Sequence, residues 1–283
     1  MTLLLNMSKA EGLYLSADYR GVNSATEEFI DDERVKFLTV HYPGGTKAMI
    51  AFTGIAILKD GTPVGTWLRE TLRGRTEAFD VSMAHLHARL KRDFERYRQH
   101  LIVTVIVMGG DGRRGFGGFT NQKASGYISR DFGYRMDELS GPQAFAGGAP
   151  AAQAEDNGQF ELIKQQLLVR PRHPRDHMNM LAAINRRVAE ADQRRAIATD
   201  VDGAIGTVSP FCHVAFIPAT NEYEPESRVY TNPDEVNPPF AMPLLFHGID
   251  TEYGFKMVLE MSQNGGAFNH DPEEAQRLTD RRP

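Results

Sequence analysis

Apolar runs and their periods divide the chain into strand-like and helix-like stretches. Residues 2 to 7 and 12 to 17 are apolar segments around "SKAEG", the pattern of two strands joined by a tight hairpin. "VKFLTVHY" and "KAMIAFTG" make a second strand pair around "PGG", whose proline and glycines form turns readily. Between the pairs, "GVNSATEEFIDDE" has no sustained period and reads as a loop, so four strands precede any helix. In "KDGTPVGTWLRETLRG", Thr62 suits a helix N-cap, Pro63 the first helical position and Gly74 the stop. From 77 to 98, Phe79, Met83, Leu86, Leu90, Phe94 and Tyr97 recur at steps of three and four, which predicts the clearest helix of the chain.

The second half continues the mixture. "LIVTVIVMGG" and "FGGFTNQ" predict strands joined by "DGRRG", and a further β-like piece runs from Tyr127 to Met136. Residues 140 to 158 are small, polar and turn-rich, and predict a surface loop. Helices are expected over 159 to 168 and about 174 to 197, the second with Met178, Leu181, Ile184, Val188 and Ala191 on one face. The strand "PFCHVAFI" follows. From about 219 the character changes, with prolines at 225, 233, 238, 239 and 243 punctuating an acidic stretch before "GFKMVLEMS". This pattern predicts a domain over 2–218 and a C-terminal extension over 219–283. The order of elements fits a layered α+β sandwich with helices outside two sheets.

Composition narrows the partners. A net charge of −5 over 283 residues and a pI near 6.0 argue against the broad basic face that nucleic acid or an acidic membrane needs. The longest apolar run, 101 to 108, is far shorter than the roughly 20 residues that span a bilayer. The start has no basic n-region and no small-residue cleavage site, so a cytoplasmic protein is expected. Cys212 is the single cysteine, which excludes an intramolecular disulfide, and His213 beside it should face the other side of the strand.

Metals and cofactors are not expected. "GGDGRRGFGG" lacks the Gly-Lys-Ser/Thr ending of a phosphate loop. His173 and His177 are four apart, but Pro174 intervenes and no nearby carboxylate completes a motif, so they read as capping and surface residues. His85 and His87, two apart on a helix, point to different faces and carry no chemistry.

The candidate chemistry lies in the first 54 residues. If Met1 is removed, Thr2 holds a hydroxyl and a free α-amine on adjacent atoms, a nucleophile and a proton acceptor in one residue. The amine has an ordinary pKa of about 8 against about 10.4 for lysine, so it can act as base. Lys36 would place a positive charge beside the hydroxyl, and Asp18 would fix that lysine. Gly54, ending "KAMIAFTG", would offer a backbone N–H as oxyanion donor where a side chain would obstruct the substrate. Arg20 is the fifth candidate site residue, and the one that most readily takes a structural role, in a salt-bridged turn with Asp18.

The stretch "TLLLNMSKAEGLYLSADYRG" resembles the opening strand, hairpin and Asp-x-Arg turn of the N-terminal nucleophile (Ntn) hydrolases. Within them it is most similar to the proteasome β-subunit group and its bacterial proteasome-like proteases. Asp18, Arg20 and Lys36 follow Thr2 by sixteen, eighteen and thirty-four positions. "IAFTGIA" resembles the junction whose glycine lines the oxyanion hole, and "VTVIVMGGDGRRGFGGFTNQ" resembles the strand pair after the second helix. The likeness covers roughly residues 2 to 217. It implies a four-layer αββα sandwich with a C-terminal extension, assembled as a homo-oligomer. It further implies a threonine peptidase or amidohydrolase that cleaves a peptide or amide bond through an acyl-enzyme. The same family includes transpeptidases and non-catalytic assembly scaffolds. Two departures stand out. Where the family has Gly-Ser-Gly, "FAGGAP" offers Gly147 and Gly148 without a serine, and for its later Asp and Ser, "TDVDGAIGTVS" offers Asp200, Asp202 and Ser209 at a different spacing.

Overall fold

The computed structural model describes residues 2–22, 29–31, 35–123, 126–148, 150–198, 206–230 and 244–251, with isolated positions beyond. Among them the chain forms two sheets, a two-stranded ribbon and five helices. Strands β1 (Leu4–Lys9) and β2 (Gly12–Asp18) make the expected hairpin, and all their residues are buried. Both faces of this hairpin are covered, so it reads in sequence as near-continuous apolar runs. The stretch expected as a loop contributes the short ribbon β3 (Gly21–Val22) and β4 (Phe29–Asp31). Backbone pairing there needs no apolar face, so periodicity does not report it. Strands β5 (Phe37–His41) and β6 (Lys47–Gly54) follow, so six strands rather than four precede the first helix.

Helix α1 (Val64–Leu72) starts one residue later than expected: Pro63 is its N-cap, and the Thr62 amide donates to Asp60 Oδ1 at 2.9 Å. Helix α2 (Phe79–Asp93) stops before 98, although Phe94 and Tyr97 still pack against the core. Strands β7 (Leu101–Met108), β8 (Arg114–Gln122) and β9 (Ile128–Glu138) continue the second sheet.

The segment 140–158 is not a surface loop. It holds β10 (Gln143–Gly147) and α3 (Ala151–Asp156), and β10 pairs along β1 from Leu4 opposite Gly147 to Ser8 opposite Gln143. The backbone of β1 needs hydrogen-bond partners on that edge, and a small-residue strand supplies them without an apolar signature. Helices α4 (Gln159–Gln165) and α5 (Pro174–Ala198) then lead to β11 (Cys212–Pro218).

The expected extension supplies strands to both sheets. β12 (Glu226–Tyr230) pairs with β11, while β13 (Leu244–Phe246) runs parallel to β5 and pairs with β14 (Ile249–Asp250). The first sheet has the order β10-β1-β2-β11-β12 and the second β14-β13-β5-β6-β7-β8-β9.

Three apolar clusters follow from the pleat, which sends successive side chains to opposite faces. In β1, Leu4 meets Phe37, Met49 and Ile106 of the second sheet, whereas Leu5 and Met7 meet Met178, Leu181 and Val188 of α5. In β6, Met49 and Ala51 face the first sheet, and Ile50 and Phe52 face Trp67 and Leu68 of α1 and Leu86 and Leu90 of α2. Each fully buried side chain of this size contributes about 1.5–3 kcal/mol, so the register of both strands is strongly specified.

Candidate active site

Hairpin register turns sequence spacing into contact. Leu4 lies opposite Ala17, which sets Leu3 beside Asp18. The Leu3 amide donates to Asp18 Oδ1 at 2.8 Å, and the Asp18 amide donates to the Leu3 carbonyl at 3.3 Å. Thr2, the preceding residue, is 4 % exposed. Lys36, just before β5, donates from Nζ to Asp18 Oδ1 at 3.1 Å, Asp18 Oδ2 at 3.2 Å and the Arg20 carbonyl at 2.5 Å.

Asp18 is wholly buried, and its carboxylate also accepts from the amides of Arg20 at 3.1 Å and Ser209 at 3.2 Å. A buried ion pair offsets its desolvation only when further hydrogen bonds satisfy it, and three backbone amides provide them here. Asp18 and Lys36 are therefore brought together, and the Leu3 amide ties the residue after Thr2 to Asp18.

Arg20 acts differently from a turn partner of Asp18. Its guanidinium turns away and donates to the Gly206 carbonyl at 2.7 Å, while its own amide and carbonyl serve Asp18 and Lys36. That bond helps seat the segment bearing Ser209. The Ser209 hydroxyl accepts from the Phe211 amide at 3.1 Å, and its carbonyl accepts from Asn185 of α5 at 2.9 Å. Ser209 thus meets Asp18 through its backbone. Met1, Asp200 and Asp202 lie outside the described residues.

Gly54 has φ +104°, in the region that favours glycine, and a Cβ there would lie 2.1 Å from the His100 carbonyl. The requirement for glycine thus comes from the neighbouring chain. The Ile55 amide donates to that same carbonyl at 3.2 Å. His100 is half-buried, and burial lowers its pKa below the usual value.

Gly148, the glycine that stands where the resemblance leads one to seek Gly-Ser-Gly, is a neighbour of Thr2. Its φ is +90°, and a Cβ would fall 1.7 Å from the Thr2 carbonyl and 3.3 Å from Thr53 Oγ1. The end of β10, Thr2 and the last turn of β6 therefore converge, which carries Gly54 to the Thr2 end of the first sheet. The glycine pair Gly147–Gly148 is the available signal for such a close approach.

The remaining candidates separate cleanly. Cys212 lies in the cluster facing α5, its thiol pushed up to about 12 by burial. His213 faces the other sheet, stacked 4.3 Å from Phe37, with its pKa brought down to about 3 by burial and Nε2 2.5 Å from Ser227 Oγ. His85 contacts Arg75, whereas His87 Nε2 lies 2.6 Å from the Phe132 carbonyl. His173 is exposed and accepts from the Arg175 amide at 3.2 Å. His177 is not a surface residue: it is 3 % exposed, with Nε2 3.2 Å from Lys9 Nζ. Its side chain falls on the inward face of α5, a choice that the spacing to His173 does not reveal.

The sequence matches no protein-family model and no curated protein. The fold does have solved counterparts. The chain is similar to the helical assembly of the Anbu complex from Pseudomonas aeruginosa, at 12% identity and a TM-score of 0.52, over 96% of this chain and 99% of that one. Anbu (ancestral beta-subunit) from Yersinia bercovieri aligns at 13% identity and a TM-score of 0.49, over 95% and 100% of the two chains. At such identity the likeness establishes a proteasome-like fold and leaves the chemistry to the residues of this chain.

Proposed function

We propose that this chain is a threonine-type Ntn amidohydrolase or peptidase that acts after removal of Met1. Thr2 attacks a peptide or amide carbonyl, and its α-amine takes the hydroxyl proton and passes it to the leaving amine. Lys36 and Asp18 set the electrostatics around the nucleophile, Arg20 positions the turn between them, and the Gly54 amide stabilises the oxyanion. Water then resolves the acyl-enzyme. The observation that carries this reading is the chain of contacts Leu3 amide to Asp18 to Lys36, which ties the residue after Thr2 to a buried ammonium.

The three clusters support a four-layer αββα sandwich over 2–218, with 219–283 as an extension whose strands edge both sheets. We place the protein in the cytoplasm as a homo-oligomer. Among the described residues no helix is long and apolar enough to cross a membrane.

Intact mass of the protein from a native-like host, followed by exposure to a β-lactone or epoxyketone, tests the proposal. Loss of Met1 and a stoichiometric adduct at Thr2 that disappears in Thr2→Ala are expected. Retained Met1, or no adduct on wild type, overturns it. One observation favours a second reading, a non-catalytic scaffold: Gly148 abuts the Thr2 carbonyl and brings no hydroxyl to the amine. That reading expects Met1-free protein that stays unlabelled yet assembles.

A further inference from the structure

At the hairpin end of β1, about 24 Å from Thr2 at roughly 3.4 Å per residue, a cavity of about 450 Å3 opens between α4, the α4–α5 connection and α5. Arg170, Arg172 and Arg187 line it, against a single lining carboxylate, Asp176. Asp176 already accepts from the His173 amide at 3.1 Å. The side chains of Arg172 and Arg187 have no hydrogen bond or ion pair among the described residues. Arg170 reaches only Glu222 at 3.8 Å, a pair exposed on both sides that contributes little. Three guanidinium groups thus line one cleft with almost no compensating charge; Arg170 and Arg172 lie just before the N-terminal turn of α5, where the helix dipole adds positive potential, and Arg187 lies further along the helix.

Much of the remaining wall is apolar, with Leu162 from α4 and Met180 and Ile184 from α5. Its inner side is also fixed in place. Lys9, 2 % exposed, donates from Nζ to the Gln166 carbonyl at 2.6 Å and to the Val169 carbonyl, stapling the α4–α5 connection to the end of β1. His177 closes the inner wall, with Nδ1 3.4 Å from Glu11 Oε1. A cleft formed before binding loses less entropy when it fills.

We propose that this cleft binds an organic anion, with a carboxylate or phosphate headgroup held by Arg170, Arg172 and Arg187 and an apolar body laid against Leu162, Met180 and Ile184. Guanidinium forks suit both headgroups, because each presents paired oxygens to parallel N–H donors. The apolar wall is what separates such a ligand from free inorganic phosphate.

Calorimetric titration of the full chain with octyl phosphate, octanoate, inorganic phosphate and neutral octanol tests this. One or both amphiphilic anions should bind saturably at one site, at least roughly tenfold tighter than octanol or inorganic phosphate, about 1.4 kcal/mol. The tighter of the two identifies the headgroup. The double variant Arg172→Gln/Arg187→Gln, altered only at exposed side chains, should keep its melting temperature and lose at least roughly tenfold in affinity. Met180→Glu, which adds a negative charge to the apolar wall, should weaken binding in the same direction. Equal affinity for octanol, wild-type affinity in a folded variant, or no saturable heat overturns the proposal. Thr2 labelling is not part of the readout, so the cleft stands or falls apart from the catalytic reading.

Discussion

Lys36 and Lys9 are both almost fully buried, at 3 % and 2 % exposure, and they lie at opposite ends of the β1–β2 hairpin. Lys36 meets a carboxylate that three backbone amides hold in place. Lys9 meets chiefly main-chain carbonyls, those of Gln166 and Val169, with Glu11 at 3.5 Å and His177 at 3.2 Å, and burial lowers its pKa. The same ammonium is therefore a charge fixed on a buried carboxylate at one end and a staple for a helix connection at the other. Burial of a lysine by itself says nothing about chemistry. Its partners decide whether the charge is directed toward a reacting group or consumed in holding backbone.

The sharpest break in that comparison is Lys36→Met. It leaves Asp18 as an uncompensated buried charge, so unfolding free energy should fall by about 3–5 kcal/mol in denaturant titrations, and the β-lactone adduct at Thr2 should vanish. Lys9→Met should cost less, about 1–3 kcal/mol, because the Gln166 carbonyl keeps the Val169 amide at 3.2 Å and only the Val169 carbonyl loses its partner, and it should leave Thr2 labelling intact. Loss of labelling in folded Lys9→Met would show that the two ends are coupled and that the contrast is false.

A smaller effect sharpens the boundary between the sheets. His213 has a folded pKa near 3 because it is buried between Phe37 and Ser227, whereas an unfolded histidine titrates at about 6.5. Between those values the unfolded chain binds more protons, so stability falls as pH drops from about 6.5 toward 3. His41, lowered to about 4 chiefly by burial, acts in the same direction. The urea midpoint should therefore decline from pH 7 to pH 5, and His213→Phe should flatten that decline. An unchanged slope would mean that His213 is accessible to water in the native state.

The candidate site was partly legible because a hairpin is local. With the turn placed after "SKAEG", antiparallel register sets Leu3 against Asp18 without knowledge of the rest of the fold. Lys36 came from charge logic and spacing, and its contact with Asp18 matches that expectation. Spacing predicts Arg20 as a turn partner of Asp18, but its guanidinium reaches Gly206, 186 positions away, a distance that no local pattern reports. Gly54 was singled out for a substrate, yet the chain at His100 is what excludes a side chain there.

The larger omissions share one cause. β10 and β12 are short, of small or mixed polarity, and exist because open edges of β1 and β11 offer unpaired backbone groups. β13 is parallel to β5 although some two hundred residues separate them in the chain. Parallel pairing over that distance leaves no turn signature between the strands.

Local physics, acting on the order of residues, was enough to specify the β1–β2 and β5–β6 hairpins, the long helices and a mixed α+β order. Short-range rules of pleat and helical period need only neighbouring residues. The convergence of Thr2, Gly148 and Thr53, the seat of Ser209 on Asp18, and the cleft stapled by Lys9 depend on which distant segments meet. Those meetings follow from closing the sheets against each other and satisfying their edges, a condition on the whole chain that no window of it contains.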